Sequence, residues 1–189
     1  MKHTLTTLAA TVFSVAGAQA ANDYDGALTD LANSTISAWV TDPVVLGAIR
    51  SQNASTADLT EHEIIALDAT WRQQTVAGGD LIDSVLSNDL SKHLKEIHMQ
   101  GAGRYTEIFV TDIRGLNVGQ SSVTSDYWQG DEDKWQVPHE TSGIHIGEVE
   151  FDESSQAYQS QVSVPIMDDG SFVGVITVGV NIEMLASAN

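Results

Sequence analysis

The sequence contains no cysteine, few basic residues, and no apolar run of the roughly 18 residues that a membrane-spanning helix needs. The absence of cysteine excludes disulfides, thiolate metal sites and cysteine nucleophiles. Only 8 Lys and Arg residues oppose 26 Asp and Glu residues, and the formal net charge is −18. This composition argues against a nucleic acid or an anionic membrane as partner, because both require a basic face. Solubility explains the acidity, and a need to bind cations is the alternative.

The first 20 residues are predicted to be a cleavable signal peptide. Lys2 supplies a positive charge, an apolar stretch follows, and Ala18 and Ala20 form the small-x-small pattern of a signal-peptidase site. Cleavage after Ala20 predicts a periplasmic protein that consists of a single domain, residues 21–189. The alternative interpretation is a buried N-terminal helix.

The spacing of the apolar residues changes near residue 104. Before it, helical spacing predicts helices over residues 23–41, 44–51, 60–77, 81–86 and 88–100, with a loop at 52–58. After it, alternation predicts strands over residues 105–111, 116–121, 144–151, 156–167 and 172–180, with a closing helix from residue 181. Residues 122–142 are predicted to form a long loop. The order of these elements predicts an α+β fold with a mostly antiparallel sheet.

Three segments of the second half carry a resemblance to a known family. Residues 107–118 (EIFVTDIRGLNV) resemble the first hairpin of Cache domains, which are PAS-like extracytoplasmic sensors also called PDC sensor domains. Residues 164–176 (VPIMDDGSFVGVI) resemble the last hairpin, and residues 125–135 (SDYWQGDEDKW) stand where the family has its aromatic pocket loop. The resemblance implies a long N-terminal helix and further short helices packed on a five- to six-stranded PAS-like sheet.

The resemblance also implies a function. Cache domains usually serve as the ligand-binding ectodomains of histidine kinases and chemoreceptors, and their ligands are often carboxylates or amino acids. We therefore expect a soluble sensor that binds a small organic molecule and signals through a separate membrane-bound protein, without inserting into the membrane itself. Pairing through the N-terminal helix would give a homodimer. No nucleophile elbow, phosphate-binding glycine loop or two-histidine metalloprotease helix is present, so we predict neither an enzyme nor a cofactor.

Aromatic residues are the first candidates for the ligand site. Tyr127, Trp128 and Trp135 lie in the predicted pocket loop, where they could form an apolar wall with polar edges. Tyr105 and Tyr158 are further candidates for the wall. The alternative is that these rings close the core over one end of the sheet.

Few cations are available for an anionic ligand. Arg104 and Lys134 are the best placed to bind a carboxylate. The family's amino-acid binders often place an Asp late in the last strand, and the nearest position here is Asn181, which keeps a hydrogen-bond acceptor but lacks the charge. A cationic or zwitterionic ligand could instead be bound by one of three acidic residues, Asp126, Asp131 or Glu132.

Two other functions stay open. A Cache-like domain with a degenerate pocket would act as a protein-interaction module. A metal-binding protein would use the acidic residues 131–133, or His139 and His145 with Glu148. The acidic run lacks the spacing of an EF-hand loop, and strand alternation sends His145 and Glu148 to opposite faces, so we predict no metal site.

Overall fold

A computed structural model describes residues 23–187, and the predicted signal peptide lies outside these residues. The N-terminal helix α1 consists of three consecutive segments, an α-helical Asp25–Leu31, a π-helical Ala32–Ile36 and an α-helical Ser37–Trp39. Four further helices follow before the sheet: α2 (Pro43–Thr56), α3 (Glu61–Ala77), α4 (Asp80–Ser87) and α5 (Asp89–Gln100).

Side-chain caps explain where these helices begin. Thr60 and Glu63 form a capping box, in which the Thr60 hydroxyl accepts from the Glu63 N–H and the Glu63 carboxylate accepts from the Thr60 N–H. Asp42 caps α2 ahead of Pro43, and Asn88 caps α5. These caps lie within about two residues of the predicted helix starts.

The predicted loop over residues 52–58 is wrong, because α2 continues to Thr56. The polar side chains of this turn hydrogen-bond to the sheet: Gln52 donates to the Asn117 carbonyl at 3.1 Å, and Asn53 donates to the Val173 carbonyl at 2.9 Å. Tertiary contacts therefore extend a helix that its local composition does not favour.

The second half forms the sheet and two more helices. The strands are β1 (Tyr105–Asp112), β2 (Asn117–Gln120), β3 (His145–Ile146), β4 (Glu150–Asp152), β5 (Ala157–Asp168) and β6 (Ser171–Asn181). Helix α6 (Asp133–Thr141) precedes β3, and α7 (Ile182–Ser187) follows β6. All pairings are antiparallel, in the order β2-β1-β6-β5-β3, and β4 also pairs with β5. The predicted α+β architecture is confirmed.

Two predicted boundaries in this half are wrong. Residues 122–142 contain α6 rather than one long loop. The predicted strand over 144–151 is divided in two, since Ile146 pairs with Val162 whereas Glu150 pairs with Gln159, so this edge contains one residue more than the strand opposite.

The two faces of the sheet differ in chemistry. Apolar side chains of one face pack with α1, α2 and α5 in the main core, among them Ile108, Val164 and Val178. Alternation turns polar residues to the opposite face, where the hydroxyls of Ser163 and Thr177 lie 3.0 Å apart. None of the helices within residues 23–187 is long and apolar enough to cross a membrane.

A second core lies between α3, α4 and the loop after β2. Its buried members are Ile64, Trp71, Ile82, Val85, Leu116 and Tyr127. This core anchors α3 and α4 beside the polar face of the sheet, where the candidate site lies.

Candidate ligand-binding site

A cavity of about 430 Å³ opens on the polar face of the sheet. Its volume lies in the range of small-molecule sites. The lining comes from β1, β5, the loop after β2 and three flanking elements: Glu107, Phe109, Gln159, Gln161, Val123, Thr124, Ser125, Gln129, Lys134, Thr75, Asp152 and Ser154.

The floor of the cavity follows from strand alternation. Ile108 and Val110 enter the main core, so their neighbours Glu107 and Phe109 turn to the cavity. The Gln161 amide donates to Glu107 Oε1 at 2.8 Å. Burial raises the pKa of the Glu107 carboxyl, against the opposing effects of this hydrogen bond and of the Lys134 charge.

Lys134 supplies the positive charge of the cavity. It lies in the first turn of α6, and its side chain is only 17% exposed. Its Nζ lies 3.0 Å from Glu132 Oε2 and 5.7 Å from the centroid of the Phe109 ring. The cavity lining therefore combines one ammonium group, two carboxyl groups and three glutamine amides, which suits a small ligand with both donors and acceptors.

Helix α3 fixes the loop that walls the cavity. The Asp68 carboxylate accepts from the backbone N–H groups of Tyr127 at 2.9 Å and Trp128 at 3.1 Å, and it also pairs with Arg72. One turn along, Trp71 Nε1 donates to the carbonyl of Thr124 at 2.9 Å. Because Thr124 lines the cavity, the hydrogen bond from Trp71 attaches the cavity wall directly to α3.

A buried polar network lies behind this wall. Asn117 Nδ2 donates to Thr124 Oγ1 at 2.8 Å, and Thr124 Oγ1 in turn donates to the carbonyl of Asp126 at 2.7 Å, with Gln120 Oε1 3.2 Å away. Asn117 Oδ1 and Gln120 Nε2 are buried and have no hydrogen-bond partner within residues 23–187. Such orphaned atoms are uncommon in folded proteins and mark a place where water or a ligand atom can bind.

A larger groove of about 530 Å³ lies between α2 and α5. It is lined mainly by small or uncharged residues such as Gly47, Ala48 and Ser51, with Asp89 as its one charged residue. The lining of this groove contains no basic residue, whereas the smaller cavity presents both an ammonium and a carboxyl group, so we assign the candidate site to the polar face of the sheet.

The predicted loop aromatics lie outside this cavity lining. Tyr127 stacks on Trp71 in the second core, with ring centroids 5.5 Å apart, and burial raises its pKa to about 12. Trp128 Nε1 donates to the Arg114 carbonyl at 2.9 Å. Trp135 stacks on a histidine of α6 and donates to a backbone carbonyl at the end of β1. Among the predicted ligand-binding residues, Lys134 alone lines the cavity.

The remaining predicted residues are spread over the molecule. Tyr105 packs edge-on against Trp39, with centroids 5.4 Å apart, and with Arg104 it lines a separate cavity of about 340 Å³. Tyr158 is 52% exposed on β5. Asn181 Oδ1 accepts from the backbone N–H of residue 184 and thereby caps α7. The ligand-binding role of these residues stays a prediction.

Sequence reasoning missed the floor of the cavity. Glu107 and Gln161 stand in strands that are otherwise rich in β-branched and aromatic residues, and each faces away from the main core. A charged or amide side chain at an alternate position of a buried strand is the signal that would have found them.

Among residues 23–187 no group of three or more His, Asp or Glu side chains has an arrangement that could hold a metal ion. His139 stacks on Trp135 with centroids 4.4 Å apart. Burial lowers the pKa of His145, which lies on β3.

Comparison with protein-family models identifies one family. The model of the first PDC sensor domain of methyl-accepting chemotaxis protein-like proteins matches residues 84–187. The sensor domain of DcuS from E. coli is similar in structure, with a TM-score of 0.50 at 12% identity over 86% of this chain and 97% of that one.

Two further solved structures match with lower TM-scores. The sensory domain of the Campylobacter jejuni chemoreceptor Tlp3 has a TM-score of 0.44 at 15% identity. The match covers 86% of this chain and 66% of the Tlp3 domain. The sensor domain of the V. cholerae histidine kinase DctB has a TM-score of 0.43 at 11% identity, with 87% of this chain and 59% of that one covered. A search of curated protein sequences gave no match.

Proposed function

Because this chain belongs to the family of PDC sensor domains found in methyl-accepting chemotaxis protein-like proteins, we propose that it binds a small organic molecule in the 430 Å³ cavity. The family and the fold are those of sensor and ligand-binding domains rather than of enzymes. The proposed ligand is a carboxylate or an amino-acid-like molecule.

One observation carries this proposal. The cavity brings together a largely buried ammonium group, Lys134, whose Nζ lies 5.7 Å from the centroid of the Phe109 ring, and a carboxyl group, Glu107, which lines the same cavity. Buried charged groups are costly in a ligand-free protein and are typical of sites where a ligand completes their pairing.

Signalling through a separate membrane protein completes the proposal. The small-x-small pattern at residues 18–20 supports export to the periplasm and cleavage after Ala20. The family consists of extracellular sensors, which is consistent with that location. We propose that the protein docks on a membrane-bound receptor, with a homodimer paired through α1 as its assembly. Mass spectrometry of the periplasmic fraction tests the cleavage, and sedimentation tests the dimer.

Ligand binding is tested by thermal shift against carboxylates, amino acids and amines, followed by calorimetry. We expect the Lys134→Met variant to lose about tenfold or more in affinity for compounds with a carboxylate, since a charge-assisted hydrogen bond is lost. Lys92→Met is the matched control, because Lys92 lies on α5, outside the cavity lining, and forms an ion pair with the exposed Asp89. If no compound of the panel binds, or if both variants bind carboxylate-bearing compounds as tightly as the wild type does, the proposed site is wrong.

A further inference from the structure

Glu107, the acidic residue on the cavity floor, has no counter-ion within the part of the chain that the structure describes. Among residues 23–187, no ion pair within 4 Å includes Glu107, and the Gln161 amide is its hydrogen-bond partner. An ionised carboxylate that is partly withdrawn from water and paired only with a neutral amide is energetically unfavourable. A cation bound beside Glu107 would therefore offset this cost.

Lys134, the basic residue of the cavity lining, already has a counter-ion. Lys134 Nζ forms an ion pair with Glu132 at 3.0 Å. The other acidic residue of the lining, Asp152, accepts hydrogen bonds from Ser154 and Ser155. With Lys134 matched by Glu132, the lining retains an excess of negative charge, and its complement is positive.

The floor also suits an ammonium group sterically and chemically. The Phe109 ring lies on the same face of β1 as Glu107, two residues along, and an aromatic face attracts cations. Within residues 23–187 no group of three or more acidic or histidine side chains is arranged to hold a metal ion, whereas a carboxylate beside an aromatic face suits an organic ammonium group.

We propose that the ligand of this cavity carries a protonated amine, and that Glu107 is the residue that selects it. This inference rests on the proposed function and narrows its ligand class. The amine pairs with Glu107 and lies along Phe109. A carboxylate on the same ligand can pair with Lys134 only by displacing Glu132, so a carboxylate alone has to bind beside an unpaired Glu107 and is disfavoured.

Three four-carbon probes separate these possibilities: butylamine with an amine alone, butyrate with a carboxylate alone, and L-2-aminobutyrate with both. Calorimetry on the full chain should show binding of butylamine and L-2-aminobutyrate and none of butyrate. Glu107→Gln keeps the shape and the Gln161 contact and should weaken both amines by about 10- to 100-fold, the range for a lost charge-assisted hydrogen bond.

Two further variants keep the test decisive. Glu107→Asp retains the charge and should restore part of the affinity, which a merely structural role of the side chain would not produce. Glu150→Gln is the matched control, since Glu150 is exposed on β4 and lies outside the cavity lining.

Each alternative outcome is informative. Binding of butyrate, or amine binding that Glu107→Gln leaves unchanged, overturns this inference while small-molecule binding stands. Failure of all three probes also overturns it, whereas the proposed function itself fails only if the wider panel of compounds gives no binding.

Discussion

Replacement of Asp68 by alanine should destabilise the protein by loosening the cavity wall. Asp68 is only 4% exposed, and one of its carboxylate oxygens accepts from the backbone N–H groups of both Tyr127 and Trp128. Alanine removes this acceptor, and neither donor can recover a partner without movement of the loop.

The magnitude follows from the desolvation of the two donors. A buried polar group left without a partner costs about 1–3 kcal/mol. Tyr127 is buried while Trp128 is partly exposed, so water can reach the second donor more easily than the first. We therefore expect Asp68→Ala to lower the free energy of unfolding by about 2–4 kcal/mol. Asp68→Asn keeps an oxygen acceptor and should cost clearly less.

Urea denaturation monitored by circular dichroism measures these differences. Asp83→Ala on the exposed side of α4 is the control for the change in helix propensity, and it should stay within about 0.5 kcal/mol of the wild type. If Asp68→Ala is no worse than this control, or if Asp68→Asn is as damaging as Asp68→Ala, then the two backbone hydrogen bonds do not hold the wall.

Two further predictions concern stability. Gly174→Ala should destabilise the protein strongly, because the new Cβ would collide with the Thr111 carbonyl oxygen across the β1–β6 pair. Gly47→Ala has open space around it in α2 and should stabilise the protein by up to about 1 kcal/mol. Equal unfolding midpoints of the two variants in urea would refute this difference. Burial raises the pKa of Glu107 above its usual 4.5. Between the pKa of the unfolded chain and this raised pKa, the native state retains a proton that the unfolded chain has lost. The free energy of unfolding therefore falls as the pH rises from the lower to the higher of these two pKa values. Glu107→Gln removes the titration, so its stability relative to the wild type should increase from about pH 4 to pH 7, and a difference that does not change with pH would show that Glu107 is not buried in this way.

The change of period near residue 104 predicted the architecture because each half follows one simple rule. Helical spacing and the Thr60 capping box are local features, and so is the turn between β1 and β2. There Asp112 accepts from two backbone N–H groups of its own turn, and Gly115 adopts a φ of +81°. Residues close together in the sequence determine these helices, caps and turns, so the sequence alone predicts them.

Helix α6 could not be predicted in this way. Its sequence contains Pro138 and no regular apolar stripe, and tertiary contacts hold it against the sheet. Trp135 is one of these contacts, since its indole reaches the carbonyl of Asp112 at 3.1 Å. A helix stabilised by its environment gives little signal in its own residues.

The candidate site shows the same limit. Aromatic residues in a polar loop are compatible with a ligand wall and with a core, and only the fold shows that Tyr127 packs on Trp71. The distinction depends on which side of the loop faces the sheet, which is a non-local property. Lys134 was predicted because it is one of few cations, whereas Glu107 was hidden among many acids.

The most direct test of the account is a crystal structure of the protein with the compound from the panel that binds most tightly. We expect density for that compound on the polar face of the sheet, in contact with Glu107, Phe109 and Lys134. Density instead in the separate cavity beside Arg104 and Tyr105, with the sheet-face cavity unchanged, would contradict it.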